Sequence, residues 1–98
     1  MIYRIKSRCL AKIARFYRNV SKKYKHTYSD YLMHKNMEDA TNAMFLIERT
    51  LLRRRPTIPR WQQEGWHMAT TGHWCYAYTI EDDTVIIQDA CHEQNMHE

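Results

Sequence analysis

Ninety-eight residues, 44% of them hydrophobic and with a formal net charge of +4, make one domain, residues 1–98, around a single core. No apolar run approaches the roughly 18 residues of a membrane span, and Arg4, Lys6 and Arg8 lead into no long hydrophobic stretch, which argues against membrane and secreted classes. Cys9, Cys75 and Cys91 are odd in number and lack C-x-x-C spacing, which argues against a disulfide framework or structural zinc module and for a reducing cytoplasm.

In chain order, Ile2 to Lys6 alternates apolar and basic residues and reads as a short strand. From Arg8 to about Tyr24, Leu10, Ile13, Ala14, Tyr17, Val20 and Tyr24 recur at helical spacing, with Lys and Arg on the outer face. Lys22, Lys23 and Lys25 suit the negative end of that helix. His26 to Lys35 reads either as a turn or as the start of the next helix, and Asn36 is placed to cap a second helix with Glu38 and Asp39 in its first turn. Met37, Ala40, Met44, Ile47 and Leu51 form its apolar stripe, and Pro56 stops it. Pro56 to Glu64 reads as a loop.

The rest reads as a three-stranded antiparallel meander. Aromatic and β-branched runs are cut by Thr70-Thr71-Gly72 and by Glu81-Asp82-Asp83, which are turn compositions. With Asp82-Asp83 as a two-residue loop, Glu81 faces Thr84, and Trp74, Tyr76, Tyr78, Ile80, Val85 and Ile87 share a core face. Asp89 is a polar exception on that face, and Cys75 and Cys91 fall on opposite faces, so no bond between them is expected. With Thr70-Thr71-Gly72 as a three-residue loop, Trp66 and Met68 join the core face. His67, His73 and His92 then emerge together on the uncovered side; a two-residue loop would instead turn His67 onto the core face. Strand, helix, helix and three strands make an α+β fold with the helices on one face of the sheet.

Charge divides sharply. All 15 Lys and Arg lie at or before Arg60 against four acids, a surplus of eleven, and the remainder carries seven acids and no Lys or Arg. A basic half of this kind suits a polyanion or an acidic protein, or is neutralised within the molecule by the acidic sheet.

The order of elements resembles the RelE/ParE toxin superfamily of bacterial toxin–antitoxin modules over nearly the whole chain. The residues that carry the likeness are Leu51-Leu52-Arg53-Arg54-Arg55-Pro56, Gly72-His-Trp-Cys-Tyr-Ala-Tyr-Thr-Ile-Glu-Asp-Asp83, and the segment from Ile86 to His92. The resemblance implies a toxin that either cuts mRNA on the ribosome or poisons DNA gyrase, and an antitoxin protein that neutralises it. A non-toxic protein-interaction relative of the same fold is the remaining reading. The mRNA-cutting members carry an arginine on the middle meander strand, where this chain has Cys75. The cation that an RNA-cleaving site needs at the phosphate must then come from Arg53, Arg54, Arg55 or Arg60. His67, His73 and His92 are the candidate acid and base groups, since imidazole titrates near neutral pH. The same histidines with Cys75 would suit zinc chemically, but no ligand spacing supports it, and neither metal nor cofactor is expected.

Overall fold

The computed structural model describes residues 2–47 and 55–95. It is an α+β fold built on a four-stranded mixed sheet. Strand β1 (Ile2–Ile5) is followed by helices α1 (Ser7–Lys23) and α2 (Asp30–Ala43), and α2 runs into a 3-10 turn at Met44–Leu46. A short helix α3 (Pro59–Glu64) precedes strands β2 (His67–Thr71), β3 (Trp74–Glu81) and β4 (Thr84–His92), and a 3-10 turn follows at Glu93–Asn95. The sheet order is β1-β4-β3-β2, with β1 parallel to β4. The last three strands do run antiparallel in sequence, but within this larger sheet.

The first helix lies where its periodicity places it. Helix α2 starts within the stretch that reads as either turn or helix, and its cap is not Asn36: Ser29 is its N-cap, with its side chain accepting from Leu32 N at 3.2 Å. Asn36 is therefore an interior residue, and its Nδ2 donates to Tyr28 Oη at 2.6 Å. The segment expected to be a loop contains α3. Pro59 opens that helix, where its missing N–H costs nothing, and Gly65 closes it in the left-handed region at φ +71°.

Three local events set the faces of the sheet. The Asp82-Asp83 loop forms as read, with Glu81 opposite Thr84 and Asp82 left-handed at φ +55°. The register then slips between Ala77 and Tyr78: Tyr78 pairs with Ile87, but Ala77 pairs with Asp89, so Gln88 is the extra residue of a β-bulge. Beyond the bulge every β4 side chain has changed face. Asp89 leaves the helical side, which removes the polar exception. Cys91 comes to lie directly opposite Cys75, contrary to the expected separation, and no disulfide joins them. The third event is the first hairpin, which turns on two residues, Gly72-His73, with Thr71 opposite Trp74 and Gly72 at φ +61°. That register turns His67 to the helical face and Met68 to the other.

Two cores result. On the helical face, Cys9 and Ile13 of α1 and Ala40 and Met44 pack on Ala69, Trp74, Tyr76, Tyr78, Val85, Ile87 and Ala90, with Phe16, Tyr17 and Met37 partly buried beside them. Tyr76 Oη donates to Ala40 O at 2.6 Å, and Trp74 Nε1 donates to Tyr17 Oη at 3.0 Å. Tyr76→Phe leaves the Ala40 carbonyl without this donor and is expected to cost about 1–2 kcal/mol in urea unfolding, with an unchanged slope. The other face was expected to be open. Instead α3 covers it: Ile58 and Trp61 pack on Met68, Cys75, Ala77 and Cys91, with Trp66 alongside.

A candidate polyanion cleft

Strand β1 ends opposite Ile87, so among the described residues the outer edge of β4 from Gln88 onward has no neighbouring strand. Helix α1 lines that edge. Arg8 Nε donates to Gln88 O at 2.6 Å, and the Arg8 guanidinium lies 5.5 Å from the centre of the Trp66 ring. Cys9 Sγ donates to Ile87 O at 3.4 Å, and burial pushes its thiol up to about 11, so it stays protonated at neutral pH.

Lys12, the next residue of this face, bonds Asp89 Oδ1 at 2.8 Å. Trp61 Nε1 donates to Asp89 Oδ2 at 2.9 Å, and Ala90 N donates to Oδ1 at 2.9 Å. Burial alone would raise this carboxyl, but the hydrogen bonds from Lys12, Trp61 and Ala90 outweigh it and hold its pKa below the ordinary carboxylate value. Asp89 thus ties α1, α3 and β4 together through one side chain, and it holds a lysine at the cleft.

Beyond Lys12 the cleft opens to about 190 Å³, lined by Lys12, Arg15, Phe16, Asn19, His92 and Asn95 among others. A smaller recess on the α3 side adds Arg60, next to Trp61, and shares Lys12 and Cys91 with it. The cationic groups recur along α1 at spacings of four and three residues: Arg8, Lys12, Arg15.

The three candidate histidines do not share a face. His92 lies 7% exposed on the helical side, its ring stacked on Phe16 at 4.0 Å and edge-on to Trp74 at 5.3 Å. Burial lowers its pKa, Glu93 pulls it back up and His73 lowers it further, with a net shift downward, so the ring is neutral at pH 7. Its Nδ1 accepts from Gln94 N at 3.2 Å, which places the ring proton on Nε2. His73 sits in the hairpin turn with 74% of its side chain exposed, and its Nδ1 meets Glu93 Oε1 at 2.8 Å. The two rings lie 6.1 Å apart, nearly parallel. His67 is separate: it stands at the far end of β2, half-buried, with its ring 5.6 Å from that of Tyr78. The arrangement in which all three rings emerge on an uncovered sheet face is therefore not formed, because the bulge moves His92 and the short turn moves His67.

The arginines divide as well. Arg53 and Arg54 lie outside the described residues, Arg55 is exposed, and Arg60 lines the recess beside the cleft. Cys75 faces α3, away from the histidines, with its thiol 3.4 Å from Thr70 Oγ1. Among the described residues no group of three His, Cys, Asp or Glu side chains could hold a metal ion, and no helix is long and apolar enough to cross a membrane.

Lys12, Arg15 and Glu93 were not singled out from the sequence. The periodicity of α1 contained the first two as members of a generic outer face, and Glu93 is the neighbour of His92. Comparison with family models, with curated proteins and with solved structures finds no match to this chain.

Proposed function

We propose that this protein is a toxin of the RelE/ParE kind that cleaves RNA at the cleft between α1 and the end of β4. The observation that carries the reading is that His92 lines the cleft with Lys12 and Arg15, and that the exposed ring of His73 lies 6.1 Å from it, outside the cleft's own lining. Backbone cleavage of RNA needs a base for the 2′-hydroxyl proton and positive charge at the phosphate. Glu93 engages His73 Nδ1 and leaves Nε2 for the proton, and the carboxylate then stabilises the imidazolium. His92 Nε2–H and Arg15 donate to the phosphoryl oxygens, the 2′-oxygen closes on phosphorus, and the departing 5′-oxygen takes its proton from water. The basic face of α1 supplies the cation that the meander lacks. It is also the surface that an acidic antitoxin would cover.

On this reading His73→Ala lowers the rate of cleavage of a single-stranded RNA by roughly 100-fold or more, the usual scale of a lost general base. Arg15→Ala lowers it by a similar factor and weakens the salt dependence of RNA binding. Both residues are exposed, so circular dichroism and melting temperature stay at wild-type values. Full activity in His73→Ala would remove the catalytic role.

A gyrase-poisoning toxin without chemistry of its own is the second reading, favoured by the depth at which His92 is packed against Phe16. Expression in a bacterial host separates the two. Growth arrest with loss of full-length mRNA supports the nuclease, and arrest with DNA damage and intact mRNA supports the poison.

A further inference from the structure

A second and larger groove, about 500 Å³, adjoins the cleft and shares Phe16, Asn19, His92 and Asn95 with it. Its volume lies within the roughly 300–1,000 Å³ typical of small-molecule sites. The additional lining is aromatic and cationic: Tyr17, Tyr24 and Tyr28, with Lys23 and Asn36. The proposed cleavage reaction uses none of these five.

Two of the tyrosines are fixed. Tyr17 Oη accepts from Trp74 Nε1 at 3.0 Å, and Tyr28 Oη accepts from Asn36 Nδ2 at 2.6 Å. Burial raises the Tyr17 pKa, so that phenol stays neutral at physiological pH. Tyr24 is different. It is the C-cap of α1, half of its surface is exposed, and the Lys23 ammonium lies 5.6 Å from its ring centre. An exposed aromatic beside a lysine, at the mouth of a groove continuous with a phosphate-sized cationic cleft, is the composition that receives unpaired bases. A core role does not account for Tyr24, because it lies outside both buried clusters.

We propose that this groove seats one unpaired base of the RNA whose neighbouring phosphate lies in the α1–β4 cleft. The base stacks on Tyr24, and the amides of Asn19 and Asn95, exposed at the junction of the two hollows, face its polar edge. The substrate class is therefore single-stranded RNA. A duplex keeps its bases stacked and paired and has none to insert. This inference rests on the polyanion reading of the neighbouring cleft.

The test uses the full chain and a fluorescein-labelled RNA hexamer, with binding followed by anisotropy. Tyr24→Ala is expected to weaken binding about 5- to 150-fold, the range of a lost base–aromatic stack, while Tyr24→Phe binds as wild type. Replacing a single nucleotide of the hexamer by an abasic residue, position by position, should weaken wild-type binding by a similar factor at one position and leave Tyr24→Ala unaffected there. Wild-type affinity in Tyr24→Ala alongside weakened binding in Arg15→Ala would overturn the base site and leave the cationic cleft standing. Unchanged affinity in both variants would overturn both. Equal affinity for the hexamer and for a blunt RNA duplex would also overturn the base site.

Discussion

Trp61→Ala is expected to destabilise the protein by about 3–5 kcal/mol, the largest effect of any single truncation considered. Trp61 is 1% exposed and fills the second core against Met68, Cys75, Ala77 and Cys91. Helix α3 has only six residues, too few to persist without tertiary contacts, so this ring is what fastens it to the sheet. Truncation removes the ring, leaves a cavity and takes one donor from a buried carboxylate. A domain of this size holds roughly 5–15 kcal/mol in total, so about a fifth or more of its stability would be lost. At about 4–8 °C per kcal/mol, the melting temperature should fall by at least 12 °C, and a dye that binds exposed apolar surface should report the uncovered sheet face. Trp61→Phe keeps most of the burial but loses the N–H, and a cost of about 1–2 kcal/mol is expected. A Trp61→Ala protein within about 1 kcal/mol of wild type would show that α3 is not a structural cover.

Asp89→Ala is expected to cost about 2–3 kcal/mol, the scale of hydrogen bonds to a charged group. The figure stays below the roughly 3–5 kcal/mol of a fully buried broken pair because the Lys12 side chain is 33% exposed and can turn to water. Asp89→Asn should cost less, since an amide oxygen still accepts from Trp61 Nε1. The sign of the pH dependence follows from the direction of the shift. The folded-state pKa of Asp89 lies below its unfolded value, so ionised Asp89 stabilises the fold above about pH 4. That contribution is lost as pH falls through the folded value. Wild type should therefore lose stability on acidification more steeply than Asp89→Asn, measured by urea unfolding between pH 2 and 7. Parallel curves would mean that the carboxylate contributes no net charge-dependent stability. Asp89 also holds Lys12 at the cleft, so if the proposed function holds, both variants weaken RNA binding even where they remain folded.

The two substitutions touch opposite ends of one connection. Trp61 and Lys12 reach Asp89 from different helices, so their effects should not add. A double-mutant cycle on Trp61→Phe and Lys12→Met would give a coupling energy of about 0.5–3 kcal/mol if the carboxylate unites them.

The residues whose place was legible in the sequence are those fixed by local pattern. The spacing of Ile13, Tyr17 and Val20 makes α1 amphipathic whatever it packs on, and Asp82-Asp83 closes a tight hairpin because Asp tolerates the left-handed region. Tyr76, Tyr78 and Trp74 lie under the helices as their alternation requires. Two further signals were present. Pro59 and Gly65 bracket a six-residue helix, and Asp89 broke the apolar parity of β4 at the very residue that follows the bulge.

What the tertiary structure alone decided is the side on which the chemistry falls. A strand carries its side chains alternately, so one added residue at Gln88 and one fewer in the first turn were enough to move His92 and His67 from one face to the other. Neither event has a local cost large enough to be read from composition. The slip at Gln88 goes with long-range contacts: β1 ends at Ile87, Asp89 finds Lys12 and Trp61, and His92 finds Phe16. The amino-acid order determined the elements and the division of charge between the halves. Packing determined which imidazoles meet the basic helix, because face and neighbour depend on contacts between segments that no local window contains.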